Sequence, residues 1–158
     1  LVRRLVPGLQ GRMVALLRLL VNGRVAQRAG WCGAGLHILP AGGYCAQHGS
    51  APDFAIDGLE PAALSAGAPA ITCVLMLQPA SSGGELLHWD RLYAGETSIA
   101  AAAATEVSMP CSPAAGDLVV IDSRRLHQVA PFGGPRDRID VTLRAAYDKE
   151  RGLWEVWL

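Results

Sequence analysis

Residues 116–138, GDLVVIDSRRLHQVAPFGGPRDR, decide how this chain is read, because they set an imidazole and two guanidinium groups around one turn. The apolar run within residues 117–122, closed by polar residues, is the pattern of a buried strand. His127 is expected just beyond that strand, ahead of a loop whose Pro131, Gly133, Gly134 and Pro135 mark a turn. After the loop, Arg136, Arg138, Asp140 and Thr142 alternate with Asp137, Ile139, Val141 and Leu143, so a strand would put both arginines on one face. If that face points inward, a fixed positive charge lies near His127. Neutral imidazole suits iron, zinc or copper, and a buried arginine fork suits a carboxylate.

Working outward, the 158 residues are enough for a single domain, 1–158, with a real core. Hydrophobic residues make up 51% of the chain and charged ones 18%, which excludes a disordered polar chain. Fourteen basic and 14 acidic residues cancel, and no basic run exceeds two, so neither a nucleic-acid surface nor an anionic-membrane surface is expected. Cys32, Cys45, Cys73 and Cys111 lack a C-x-x-C spacing and read as free thiols of a cytoplasmic protein.

Upstream, residues 13–21, MVALLRLLV, are interrupted by Arg18 and too short to span a bilayer. Leu9, Met13, Leu16, Leu17 and Leu20 fall at helical spacing, and Gly23 stands where a helix would stop. The expectation is an amphipathic helix packed on a sheet. A start at Leu1 is compatible with an N-terminally truncated fragment.

Strands are expected at residues 36–39 and 44–48, then at 71–77 (ITCVLML), which returns as a hairpin through the turn at 79–84 into 85–89. Further strands are expected at 106–109 and 153–158, while residues 98–105, with their alanine run, are ambiguous between helix and strand. Residues 49–69 form a long connection rich in small residues, of the kind that often serves as a lid or binding loop. Many short strands behind one or two N-terminal helices predict a mainly β (α+β) sandwich or small barrel.

The ordered set of His48, the 71–77 strand, Gly83-Gly84-Glu85-Leu86, GDLVVIDSRRLHQV and a following Pro135-Arg136 resembles the iron(II)- and 2-oxoglutarate-dependent oxygenases, in their prolyl-hydroxylase-like branch. The resemblance covers residues 36–147 and implies a double-stranded β-helix, that is, a jelly-roll or cupin-like barrel. It implies that His48 and His127 are iron ligands and that Arg136, nine positions after His127, binds the distal carboxylate of 2-oxoglutarate, with Arg138 as the fallback. The implied activity is hydroxylation of an unactivated C–H bond in a peptide side chain, amino acid or small natural product. Iron(II) and 2-oxoglutarate would be the cofactors, with ascorbate as a further one.

The chain departs from the family where H-x-D is usual, because it has His48-Gly49-Ser50. Three readings stay open: Asp53 supplies the third metal ligand, chloride fills the place as in a halogenase, or the domain binds metal poorly and has lost its chemistry. A separate H-x-D, His88-Trp89-Asp90, follows the glycine pair instead of preceding it. His37 and Tyr44 flank one turn and are read as core or rim residues, with donation to a cosubstrate carboxylate as the alternative. The bland alternative for Arg136 and Arg138 is pairing with Asp137, Asp140 or Asp148 on a solvated strand.

Two competing classes are a cupin-like metalloprotein and a non-catalytic binding domain. The cupin H-x-H motif is missing, as are the G-x-S-x-G elbow of serine hydrolases and P-loop and zinc-finger signatures. Catalytic residues beyond the metal site are not assigned, and the chain does not disclose its oligomeric state.

Overall fold

The computed structural model describes residues 7–30, 34–41, 67–92 and 107–157. Helix α1 (Leu9–Val21) leads into strands β1 (Val25–Gln27) and β2 (Gly35–Leu39). The chain continues through β3 (Ala70–Gln78), β4 (Ser82–Gly83), β5 (Leu86–Leu92) and β6 (Met109–Cys111). It closes with β7 (Leu118–Asp122), β8 (Arg125–Val129), β9 (Phe132–Gly133), β10 (Arg138–Asp148) and β11 (Leu153–Trp157). The strands at 44–48, the connection at 49–66 and the alanine run at 98–105 lie outside the described residues.

A six-stranded sheet is built on β10, which pairs along one edge with β3 and along the other with β2 near its start and β11 near its end. Beyond β3 lies β7, antiparallel, and beyond β11 lies β1, parallel. A second sheet has the order β6-β5-β8, and β4 and β9 make a two-stranded ribbon. The architecture is mostly β with one described helix, consistent with a β-sandwich or cupin-like fold. Among the described residues the two sheets do not close into a barrel.

The two faces of β10 explain the division of labour. Val141, Leu143 and Ala145 join Cys73, Val25 and Val156 against Met13 and Leu17 of α1, forming the main apolar core. On the alternate face, Arg138, Asp140 and Thr142 are also buried. The helix uses a slightly different stripe from the one its spacing suggests: Leu9, Val14 and Val21 flank Met13 and Leu17, while Leu20 is 50% exposed. Asn22, at a φ of 45°, ends it one residue before Gly23. Burial holds the Cys73 thiol in its protonated form and pushes its pKa to about 11; Cys73 and Cys111 are both free thiols.

Two expectations are corrected and one is refined. Residues 71–77 and 85–89 do not form a hairpin; β3 pairs with β10 and β7, whereas β5 joins β6 and β8 in the other sheet. A run of apolar residues returning after a turn has the same pattern whether it pairs back or crosses between sheets. His127 lies beyond the strand at 117–122 as expected, but within a further strand, β8, because the chain turns a corner at Ser123 and Arg124 and starts a new strand. The strand expected at 106–109 is instead Met109–Cys111 and includes Pro110, which is tolerated at a strand edge.

Candidate functional site

The corner between β7 and β8 sets the position of His127. Asp122 caps the turn, accepting from the Arg124 backbone N–H at 3.0 Å and from its side-chain Nε and Nη2 at 3.1 Å. Partial burial raises the Asp122 pKa, but the hydrogen bonds and charge of Arg124, with the charge of Arg125, outweigh it and hold the carboxyl below its ordinary value. Ser123, 1% exposed, exchanges a 2.8 Å hydroxyl hydrogen bond with Thr72, and its N–H donates to the Ala70 carbonyl. The corner is thereby tied to β3, and β8 departs into the second sheet.

His127 is 6% exposed. Its Nδ1 lies 2.9 Å from the Arg125 carbonyl oxygen, which can only accept, so Nδ1 donates there, and in the neutral ring the lone pair is on Nε2. This is how metal-ligating histidines are commonly oriented, with one nitrogen tied to a carbonyl and the other presented to the ion. His88 stands directly opposite His127 in the β5–β8 ladder, so both side chains leave the same face of that sheet. Trp89, Leu126 and Leu87 cluster together on the other face.

The H-x-D at 88–90 does not gather its side chains on one buried point. Asp90 is 79% exposed and forms an ion pair with Arg125. Among the described residues no group of three or more His, Cys, Asp or Glu side chains is placed to hold a metal. His48, Asp53, Ser50 and Tyr44 lie outside the described residues.

Arg136 and Arg138 separate. Arg136 is exposed on a bend before β10, so the two do not share a strand face, whereas Arg138, 2% exposed, is the first residue of β10. That end of β10 is anchored on both sides: Ala41 N–H donates to Asp137 Oδ1 at 2.7 Å, and Gln78 Nε2 donates to the Asp137 carbonyl at 2.9 Å. Arg138 pairs through Nη1 with Asp140 Oδ2, while its buried Nε has no hydrogen-bond partner among the described residues. A buried guanidinium N–H in that state is a ready donor for an incoming anion.

The glycine pair explains how Arg138 meets the second sheet. A Cβ on Gly84 would come 3.5 Å from Arg138 Cδ and 3.3 Å from Phe132 Cβ, and one on Gly83 would sit 2.2 Å from the Pro131 carbonyl oxygen. Both glycines have positive φ, 69° and 78°. They therefore serve turn geometry and close backbone approach, bringing the start of β5 down onto Arg138. Ala130 N–H donates to the Glu85 carbonyl at 2.8 Å and fixes the same junction.

Asp140 is the residue that pattern reading underrated. It is 2% exposed, and its Oδ1 accepts from Thr142 Oγ1 at 3.3 Å and lies 3.3 Å from His37 Nδ1. The alternation Arg-x-Asp-x-Thr matches a solvated strand face equally well, so sequence alone does not mark these groups as buried.

No family model matches the chain, and no curated protein matches it. Its fold is similar to that of two crystal structures of an N-substituted L-amino acid dioxygenase from Burkholderia ambifaria AMMD, the second in complex with alpha-KG. The first superposes with a TM-score of 0.61 at 15% identity and the second with 0.61 at 17% identity. These alignments cover 93% and 98% of this chain but 62% and 66% of those proteins. At such identity the likeness concerns the fold. Among the described residues no helix is long and apolar enough to cross a membrane.

Proposed function

We propose that the chain is an iron(II)- and 2-oxoglutarate-dependent oxygenase that hydroxylates a C–H bond of an amino acid or amino-acid derivative. The observations that carry this reading are a buried His127 whose Nδ1 is tied to a backbone carbonyl in one sheet, and a buried Arg138 whose Nε has no hydrogen-bond partner among the described residues in the other. The strand orders, β2-β10-β3-β7 in one sheet and β6-β5-β8 in the other, are compatible with a jelly roll, and a dioxygenase with alpha-KG bound has a similar fold. The choice of an amino-acid substrate follows that neighbour.

His127 would offer Nε2 to the metal, with His48 and either Asp53 or an exogenous anion completing the ligands. Iron(II), when bound there, supplies dioxygen activation coupled to decarboxylation of 2-oxoglutarate to succinate and carbon dioxide. Arg138 would hold the distal carboxylate through Nε, in preference to the exposed Arg136. His88, opposite His127, lies in β5, which starts two residues after the Gly84 corner that packs on Arg138.

The test is conversion of 2-oxoglutarate to succinate by the iron(II)-loaded chain in air, with N-substituted and free L-amino acids, with and without chloride. Succinate formation dependent on iron and on Arg138 supports the reading. Chlorinated product would assign the halogenase variant. Iron binding without any 2-oxoglutarate binding would favour a cupin-like metalloprotein, and failure to bind iron a non-catalytic domain.

A further inference from the structure

Where a diacid would dock, Arg138 already holds a carboxylate. The Arg138–Asp140 pair is buried on both sides, and its outer end is His37, whose side chain is 45% exposed and reaches Asp140 Oδ1 at 3.3 Å and Thr142 Oγ1 at 3.4 Å. A second carboxylate brought to the same guanidinium would lie beside Asp140, and two like charges in a site of low dielectric repel strongly. A proton removes that cost, taken up either by Asp140 itself or by a basic group on the Asp140 side, and the group standing there is the His37 imidazole.

Resting on the oxygenase reading above, we propose that Asp140 and His37 form a proton-linked positioning pair for the cosubstrate: His37 takes up a proton as the diacid binds, draws Asp140 toward itself, and leaves Arg138 to the ligand. Among the described residues the surroundings supply no other imidazole. On β10 the same face carries Arg138, the Thr142 hydroxyl and, four residues on from Asp140, Arg144, a fixed charge that takes up no proton; on β3 the residue opposite Asp140 is Met76; on β2 the residues flanking His37 on that face are Gly35 and Leu39. Asp137, next to Arg138, is committed to Ala41 N–H. The sign follows from mass action: uptake of a proton on binding makes the diacid bind tighter at lower pH, by up to about tenfold per pH unit for one proton.

The experiment is calorimetric titration of metal-loaded protein with 2-oxoglutarate, without oxygen, in buffers of different ionisation enthalpy across the range where imidazoles change charge. Metal loading keeps the protons of the metal ligands common to all variants. Wild type is expected to take up a measurable fraction of a proton that His37→Gln does not, with the pH dependence of affinity flattened in that variant. Asp140→Asn, nearly isosteric, is expected to bind without this uptake and at least as tightly at the alkaline end. The half-exposed position of His37 makes its variant safe to fold should Asp140→Asn prove unstable. Equal proton uptake in wild type and His37→Gln overturns the proposal, as does an Asp140→Asn loss of affinity that is the same at every pH, the signature of mere support for Arg138. Absence of 2-oxoglutarate binding at any pH overturns the oxygenase reading itself.

Discussion

Arg138 and Asp140, two positions apart on one face of β10, share an ion pair in which each side chain is 3% exposed. Removing one partner strands a buried charge, which typically costs about 3–5 kcal/mol, whereas replacing both by apolar residues of similar size is often neutral. Arg138→Met is therefore expected to destabilise the fold by that amount, and the double variant Arg138→Met/Asp140→Leu to recover most of it. Neither is expected to bind 2-oxoglutarate, whereas Arg136→Ala, on an exposed bend, should stay within about 0.5 kcal/mol of wild type and keep its affinity. Urea denaturation alongside calorimetric binding checks both halves; a double variant that still binds would remove Arg138 from the site.

The Gly83 corner is expected to tolerate no side chain. A Cβ there meets the Pro131 carbonyl oxygen at 2.2 Å in a backbone of positive φ, so Gly83→Ala should cost at least about 2 kcal/mol. Because the same corner packs Gly84 on Arg138, weaker cosubstrate binding should accompany the lower Tm. Thermal unfolding indistinguishable from wild type would mean that the ribbon of β4 and β9 is not held as described.

Asp122 gives the corner before β8 an acid limit. Its carboxyl is held below its ordinary value when folded, so the stability it contributes is present above the unfolded carboxylate pKa of about 4 and is lost as pH falls through the folded value. Asp122→Asn is expected to lower stability near neutral pH and to unfold with a shallower dependence on pH below about 4. Coincident stability curves for the two proteins, followed by denaturant titration at several pH values, would show that the cap contributes nothing.

Much of this organisation was legible in the sequence, for identifiable reasons. The run ITCVLML lacks alternation because both faces of β3 are buried, Cys73 in the core with Met13 and Leu17 of α1 and Thr72 and Met76 on the alternate face, and the period-two pattern after residue 137 marks β10. Partner choice was not legible: the hydrophobic content of residues 86–92 is the same whether β5 pairs with β3 or crosses to β8. His127 was singled out by its neighbourhood, but its seat inside β8 depends on a two-residue corner that reads in sequence as a polar strand end. Arg136 and Arg138 looked equivalent because alternation gives a face and not a depth; the bend that exposes Arg136 follows from where the β2 and β3 ladders begin. Asp140 escaped because a buried ion pair and a solvated one have the same spacing.

The central claim is that His127 and Arg138 hold opposite ends of one metal–diacid assembly. Anaerobic titration of the chain with iron(II) and 2-oxoglutarate, watching for the weak visible charge-transfer band of the chelate, tests it most directly. The account predicts the band in wild type and in Arg136→Ala, its loss in His127→Ala, and a requirement for at least tenfold more 2-oxoglutarate in Arg138→Gln. A band that survives intact in His127→Ala, or that needs no more cosubstrate in Arg138→Gln, would contradict it.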